Sequence, residues 1–150
     1  VMTRDTEEIT YRSEAKTIAA MKKWDTRRRV EIAESVDSPV FLSIHQNIYP
    51  SSGPHGSQVL YAQNEPSRAL AELIQSRLTA ALLPENRRVP VPAGKDIYIM
   101  SHVQCTAVLV ECGFLSHPQE LSLLQSADYQ KKIASVLTAC YLQFTEKGVL

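Results

Sequence analysis

The sequence carries no net charge: sixteen basic side chains are balanced by sixteen acidic ones. A chain without basic excess does not hold a polyanion by bulk attraction, which argues against a general nucleic-acid binder. It also lacks any run near the ~18 apolar residues of a membrane span. Cysteine is scarce. Cys105, Cys112 and Cys140 form neither a CxxC metal pair nor a disulfide framework. Their odd number leaves at least one free or paired with another chain. Each lies in an apolar run, so each reads as a small buried hydrophobe. There is no internal repeat. No signal-peptide pattern opens the chain; residue 1 is Val, and Val1–Arg4 reads as the end of a strand already under way.

What is present is a chain of 150 residues, 44% hydrophobic, enough for one domain or most of one. Two stretches share a design. Val40–Ile44 is short, aromatic and β-branched, which predicts a buried strand, and His45 follows it directly. Ala107–Val110 is a second apolar run, and it delivers Glu111. Open α/β sheets bind ligands in the crevice beyond the carboxyl ends of their strands, so both groups are aimed at such a crevice. A histidine after a strand is most often a hydrogen-bonded loop residue. A glutamate after four apolar residues is harder to dismiss, because an ionised carboxylate near a core is costly unless paired, metal-bound or neutralised.

The remaining chain alternates helices with strands. Asp5–Lys23 reads as a polar excursion with some helix, with Ser13 as a cap and Ala15, Ile18, Ala19 and Met21 as a weak face. Asp25 or Thr26 offers an N-cap for a helix over 27–36, with Val30 and Ala33 inward, ended by Asp37-Ser38-Pro39. Gln46–Gly56 is a loop beside the crevice, and Ser57–Ala62 a strand. Glu65-Pro66-Ser67 opens a helix with Leu70, Leu73, Ile74, Leu78, Ala81 and Leu82 on one stripe. Asn86–Asp96 reads as loop and Ile97–Met100 as a short strand. Ser116-His117-Pro118 caps a short helix. The last helix presents Tyr129, Ile133, Val136, Leu137, Cys140, Tyr141 and Phe144. The pattern predicts an α/β domain with a mostly parallel or mixed sheet flanked by helices.

An imidazole and a carboxylate converging at strand ends suit zinc-assisted hydrolysis. Zinc takes imidazole and carboxylate ligands and, in catalytic sites, keeps one position for water. A carboxylate that is not a ligand can move the water's proton to a leaving nitrogen. His45 suits the ligand role and Glu111 the proton shuttle. Three protein ligands are usual, so His45 alone does not make a site. Cys112 is not the nucleophile: strand alternation points it away from Glu111, and no histidine adjoins it.

These residues carry a resemblance. Leu42-Ser43-Ile44-His45-Gln46-Asn47 resembles the S-I-H-x-N segment of the zinc-dependent N-acetylmuramoyl-L-alanine amidases. Val108-Leu109-Val110-Glu111-Cys112-Gly113-Phe114-Leu115-Ser116 resembles their L-V-E-x-G-F-x-S-N segment. Val1–Asp5, the arginine-bearing stretch from Asp25 to Val30, Gly56 and the helix from Tyr129 are similar to the family's elements in the same order. The resemblance implies a phosphorylase/hydrolase-like fold related to the zinc carboxypeptidases. It implies a peptidoglycan hydrolase that cleaves between N-acetylmuramic acid and the L-alanine of the stem peptide, outside the cytoplasm. By carry-over His45 is a Zn2+ ligand and Glu111 the general acid/base, and the excursion before Asp25 is similar to that of the spore-germination branch. The family's D-P-G-H-G-G segment and a following glutamate, which supply the other ligands, are not among these residues. Residues 1–150 are therefore expected to be the larger C-terminal part of one catalytic domain, without its first strand and helix and with an exposed edge or unfilled face. Two other readings stay open: a non-catalytic cell-wall-binding or regulatory domain of the same fold, and a carboxypeptidase-like zinc peptide hydrolase. His55, His102 and His117 are conceivable substitute contacts; His117 stands where the family has Asn and reads as surface. Asn47 could bond substrate or brace its loop. Arg27, Arg28 and Arg29 could meet stem-peptide carboxylates or simply form a solvated, salt-bridged helix face; of the three, Arg29 is the candidate for substrate binding.

Overall fold

The computed structural model describes residues 1–4, 6, 14 and 16–146. Ser13 and Ala15, the expected cap and face of an early helix, lie outside them. The order is α1 (Ile18–Glu34), β1 (Val40–Asn47), β2 (Gln58–Tyr61), α2 (Glu65–Leu82), β3 (Val91–Pro92), α3 (Tyr98–His102), β4 (Thr106–Phe114), α4 (Pro118–Leu124) and α5 (Ala127–Glu146). The four strands form one mixed sheet in the order β1-β4-β2-β3. β1 runs parallel to β4, β2 antiparallel to β4, and β3 parallel to β2.

Two cores hold the sheet, one on each face. Val59, Val108, Val110 and Cys112 meet Leu70, Ile74 and Leu78 of α2 and Ile133, Leu137, Cys140 and Phe144 of α5. Phe41, Ala107 and Leu109 meet Ala33 of α1, Met100 of α3 and Val103 on the other face. β4 is central, and its nine residues are buried except for Glu111, which is partly open. A continuous apolar run is what a strand covered on both faces requires. The α2 stripe is the one its spacing predicts. Asn64 caps the helix, its side chain accepting from the Ser67 N–H at 2.9 Å, and Pro66 sits in the first turn.

Several elements differ from expectation. Val1–Arg4 is not a strand, and Val1 and Met2 are exposed. α1 starts nine residues earlier than Arg27, capped by the Thr17 hydroxyl. Asp25 is not its cap but an interior residue, whose carboxylate takes the Arg29 guanidinium at 2.8 Å one turn on. Thr26 turns its hydroxyl back onto the Lys22 and Lys23 carbonyls. Ile18 and Ala19 are exposed, so the weak early face buries little. β1 is an edge strand and not a buried one: Ile44 is 56% exposed. The stretch read as loop over 86–96 contains β3, where Pro92 is tolerated because its strand lies at the sheet's other edge. Ile97–Met100 belongs to a helical turn and its cap, not a strand, with Met100 buried against Ala107 and Leu109. A run of four apolar residues fits either structure. Tyr141 is 44% exposed and leaves the buried stripe of α5.

One buried carboxylate ties these parts together. Glu120, in the first turn of α4, accepts the Gly56 N–H at 2.8 Å through Oε1 and the Phe114 N–H at 2.8 Å through Oε2. It joins the β1–β2 loop to the end of β4. Two glycines lie beside it, one in a left-handed conformation and one in close contact. Gly56 has φ +88°, and a Cβ there would lie 2.6 Å from Asn86 Oδ1; a Cβ at Gly113 would lie 3.2 Å from Glu120 Oε2. Glu120→Ala would leave two buried N–H groups without acceptors. The expected cost is about 3 kcal/mol, read from urea denaturation, and a loss below about 1 kcal/mol would show that water replaces the carboxylate freely.

Candidate active site

The parallel register of β1 and β4 places His45 directly opposite Glu111. Neighbours in register share a face, so both point to the side covered by α1 and α3, at the carboxyl ends of their strands. The antiparallel register of β2 adds Gln58 on Glu111's other side. The result is a row across three strands: imidazole, carboxylate, amide. Just past His45 the pairing shifts, so that Asn47 meets Phe114. Such an irregularity bends the strand where its side chains are presented.

Glu111 is the unusual group. Its Oε2 is buried and has no hydrogen-bond partner among the described residues. Burial alone pushes its carboxyl above the ordinary value. His45 moves the other way. Burial, then the charge of Arg29 and that of Arg4, hold its imidazole below the ordinary 6.5. Near neutral pH the ring is therefore unprotonated, the form that ligates a metal. An orphaned carboxylate oxygen beside a neutral imidazole fits one corner of a zinc site: one protein donor, and a proton acceptor for bound water. It is not a whole site, since no three His, Cys, Asp or Glu side chains converge among the described residues.

The other candidates separate. Asn47 braces the loop: its Oδ1 accepts the Ile48 N–H at 2.8 Å, and its carbonyl accepts the Leu115 N–H at 2.8 Å. Arg29 is paired with Asp25 in a mostly buried contact. It faces the site closely enough for its charge to act on His45. Arg28 bonds Glu31 on the exposed side of α1. Ser116, beyond β4, accepts the Tyr49 N–H through Oγ at 3.1 Å. His55 and His117 lie with ring centroids 5.1 Å apart, and His117 also caps α4. His102 stacks on Tyr98 at 3.7 Å and lines a cavity of about 500 Å³ with Asn64, Lys95 and Met100. Asn64 bonds the Cys105 carbonyl, just before β4, so that cavity lies at the opposite end of the strand from Glu111. The Cys112 thiol sits in the core on the far face, pushed up to about 11 by burial and the Glu111 charge, and is no nucleophile.

Gln58 and Glu120 escape the sequence reading. Gln58 becomes a neighbour of Glu111 only through a pairing between residues 53 apart in the chain. Glu120 reads as a helix-start acid, and its glycine-lined cradle is the one signal that marks it.

The family described as N-acetylmuramoyl-L-alanine amidase matches residues 1–140. The germination-specific N-acetylmuramoyl-L-alanine amidase of Bacillus subtilis is 35% identical over 153 aligned positions, which take in 99% of this chain and 62% of that protein. The chain thus spans less than two thirds of that relative's length. The CwlD amidase from Clostridioides difficile, solved in complex with the GerS lipoprotein, superposes with a TM-score of 0.90 at 30% identity, covering 97% of this chain and 75% of that one. The AmiC2 amidase of Nostoc punctiforme gives 0.72 at 27% identity, covering 80% and 65%.

The Glu111 shift has a sign that stability can test. A carboxyl whose folded pKa lies above its unfolded one keeps a proton that the unfolded chain releases as pH passes about 4.5. Stability therefore falls as pH rises from there through the folded value, and stays lower above it. Glu111→Gln cannot ionise. In metal-free buffer it should melt higher than the parent chain at pH 7 and show no such gain at pH 4. An equal difference at both pH values would mean that the effect is packing and not charge.

Proposed function

The chain belongs to the N-acetylmuramoyl-L-alanine amidase family, and from that premise we propose that it hydrolyses the amide bond between N-acetylmuramic acid and the L-alanine of the peptidoglycan stem peptide. The observation that carries the reading is the pairing of His45 with a half-buried Glu111, whose Oε2 has no hydrogen-bond partner among the described residues, at the carboxyl ends of adjacent parallel strands. Family members are generally zinc-dependent. In this reading His45 is one zinc ligand. No three such donors converge among the described residues, so in this reading the further ligands lie outside them. Bound zinc would lower the pKa of a water and polarise the amide carbonyl.

The chain's own residues do the rest. Glu111 accepts the proton of the attacking water and returns it to the leaving alanine nitrogen. Its raised pKa suits both halves of that exchange, since an acid poised nearer neutrality both takes and gives a proton. Arg29, fixed by Asp25, adds to burial in lowering the His45 pKa and offers a cation on the α1 side. The Asn47 carbonyl and the Ser116 hydroxyl hold the loops after β1 and β4 at a fixed spacing. Peptidoglycan as substrate places the activity outside the cytoplasmic membrane, and no described helix is long and apolar enough to cross one. Similarity to the germination-specific relative supports a role in the cell wall of spores.

The incomplete donor set favours one other reading, a wall-binding domain without turnover. Two measurements separate them. Glu111→Gln in the zinc-loaded protein should lower the turnover of purified muropeptides by about 10²- to 10⁴-fold with zinc content unchanged. His45→Ala should lose the zinc itself, by elemental analysis. If the parent protein retains zinc yet releases no free stem peptide, the catalytic assignment fails and the binding reading stands.

A further inference from the structure

Arg88 lies in the connection between α2 and β3, outside every motif that the family resemblance uses. The connection is pinned to the start of β2. Asn86 Nδ2 donates to the Ser57 carbonyl at 2.8 Å, and the Arg88 N–H donates to Asn86 Oδ1 at 3.0 Å. Gln58 Nε2 donates to the Val89 carbonyl at 3.1 Å. The guanidinium is then fixed from three sides. Its Nε donates to the His55 carbonyl at 2.7 Å, its Nη1 donates to Gln58 Oε1 at 3.0 Å, and its plane lies 4.6 Å from the centre of the Phe114 ring. This Gln58 is the cross-strand neighbour of Glu111, and Phe114 is three residues beyond Glu111 on β4.

Arg88 is thus a half-buried cation, oriented in advance, on the β2 flank of the site. No carboxylate of the described residues forms an ion pair with it. The two bonds it makes use neutral oxygens and leave three of its five N–H donors for another acceptor. One of those oxygens is the backbone carbonyl of His55, whose ring lies 5.1 Å from that of His117, centroid to centroid. By contrast Arg29, the cation on the opposite flank, is already paired with Asp25. Planar guanidinium groups held this way are suited to a carboxylate, which they bind through two parallel bonds.

We propose that Arg88 is a carboxylate-binding subsite that takes the peptide half of the substrate. The proposal rests on the amidase reading for its substrate. A stem peptide bears carboxylates beyond the alanine, so the peptide runs from Glu111 toward β2 and Arg88, and the glycan leaves toward β1. Arg88 acts by positioning: it binds the peptide and touches none of the reacting atoms.

The test reads binding and not turnover. L-Alanyl-γ-D-glutamyl-L-lysine, with the glutamate α-carboxylate free, is titrated by calorimetry into the full-length, zinc-loaded protein, and its α-amide is titrated in parallel. The free acid should bind about ten- to a hundredfold more tightly than the amide, as a charge-assisted pair predicts. Arg88→Gln should abolish that preference, and Arg88→Lys should keep part of it. Equal binding of acid and amide to the parent chain, or no binding of either, overturns the subsite without recourse to any variant. So does an Arg88→Gln chain, shown folded by circular dichroism, that keeps the preference. A chain that shows the preference but never releases stem peptide from muropeptides would retain the subsite and lose the amidase reading.

Discussion

The register between β1 and β4 is the constraint on which the site depends. His45 and Glu111 are 66 positions apart in the chain, and only the parallel ladder brings them opposite each other. Because side chains alternate along a strand, a slip of one residue would turn His45 to the far face. The slip is opposed by packing. Phe41 must stay with Ala107 and Leu109 against α1 and α3, while Val40 and Leu42 must stay against the α2–α5 core. The apolar residues that bury the strands therefore also aim the chemistry. Glu120 adds a second lock at the open end, where the ladder becomes irregular and hydrogen bonds between strands no longer fix the distance.

How much of this the sequence discloses depends on range. Helices with a one-sided apolar stripe and a local cap are legible, as α2 shows, because caps and periodicity act within a turn or two. β4 is legible because nine residues without a charge except Glu111 fit only a covered strand. α1 is misread at its start: Asp25 has the composition of a cap, yet its partner Arg29 lies inside the same helix, and the ion pair outweighs the cue. α3 is misread because four apolar residues carry no period. β1 reads as buried from its composition, but burial depends on neighbours, and its outer side has none among the described strands. The pair His45 and Glu111 is legible from the design of two strands. Gln58, Glu120 and Arg88 are not, because each acquires its role from contacts 6 to 64 residues away.

The same burial pushes the two central groups in opposite directions, and that is the chemical point of placing them together. Removing water disfavours charge on either one, so the carboxyl holds its proton longer and the imidazole gives its proton up sooner. Two positive neighbours, Arg29 and Arg4, strengthen the effect on His45 and leave Glu111 governed by burial alone. The pair thus tends toward a neutral ring, ready to donate a lone pair, and a carboxyl nearer the balance point for proton exchange. Arg29 is held by Asp25 one turn back on α1, and its charge acts on His45, whereas Glu111 is shifted by burial alone. The two shifts thus have partly different causes, yet each favours the neutral form of its group.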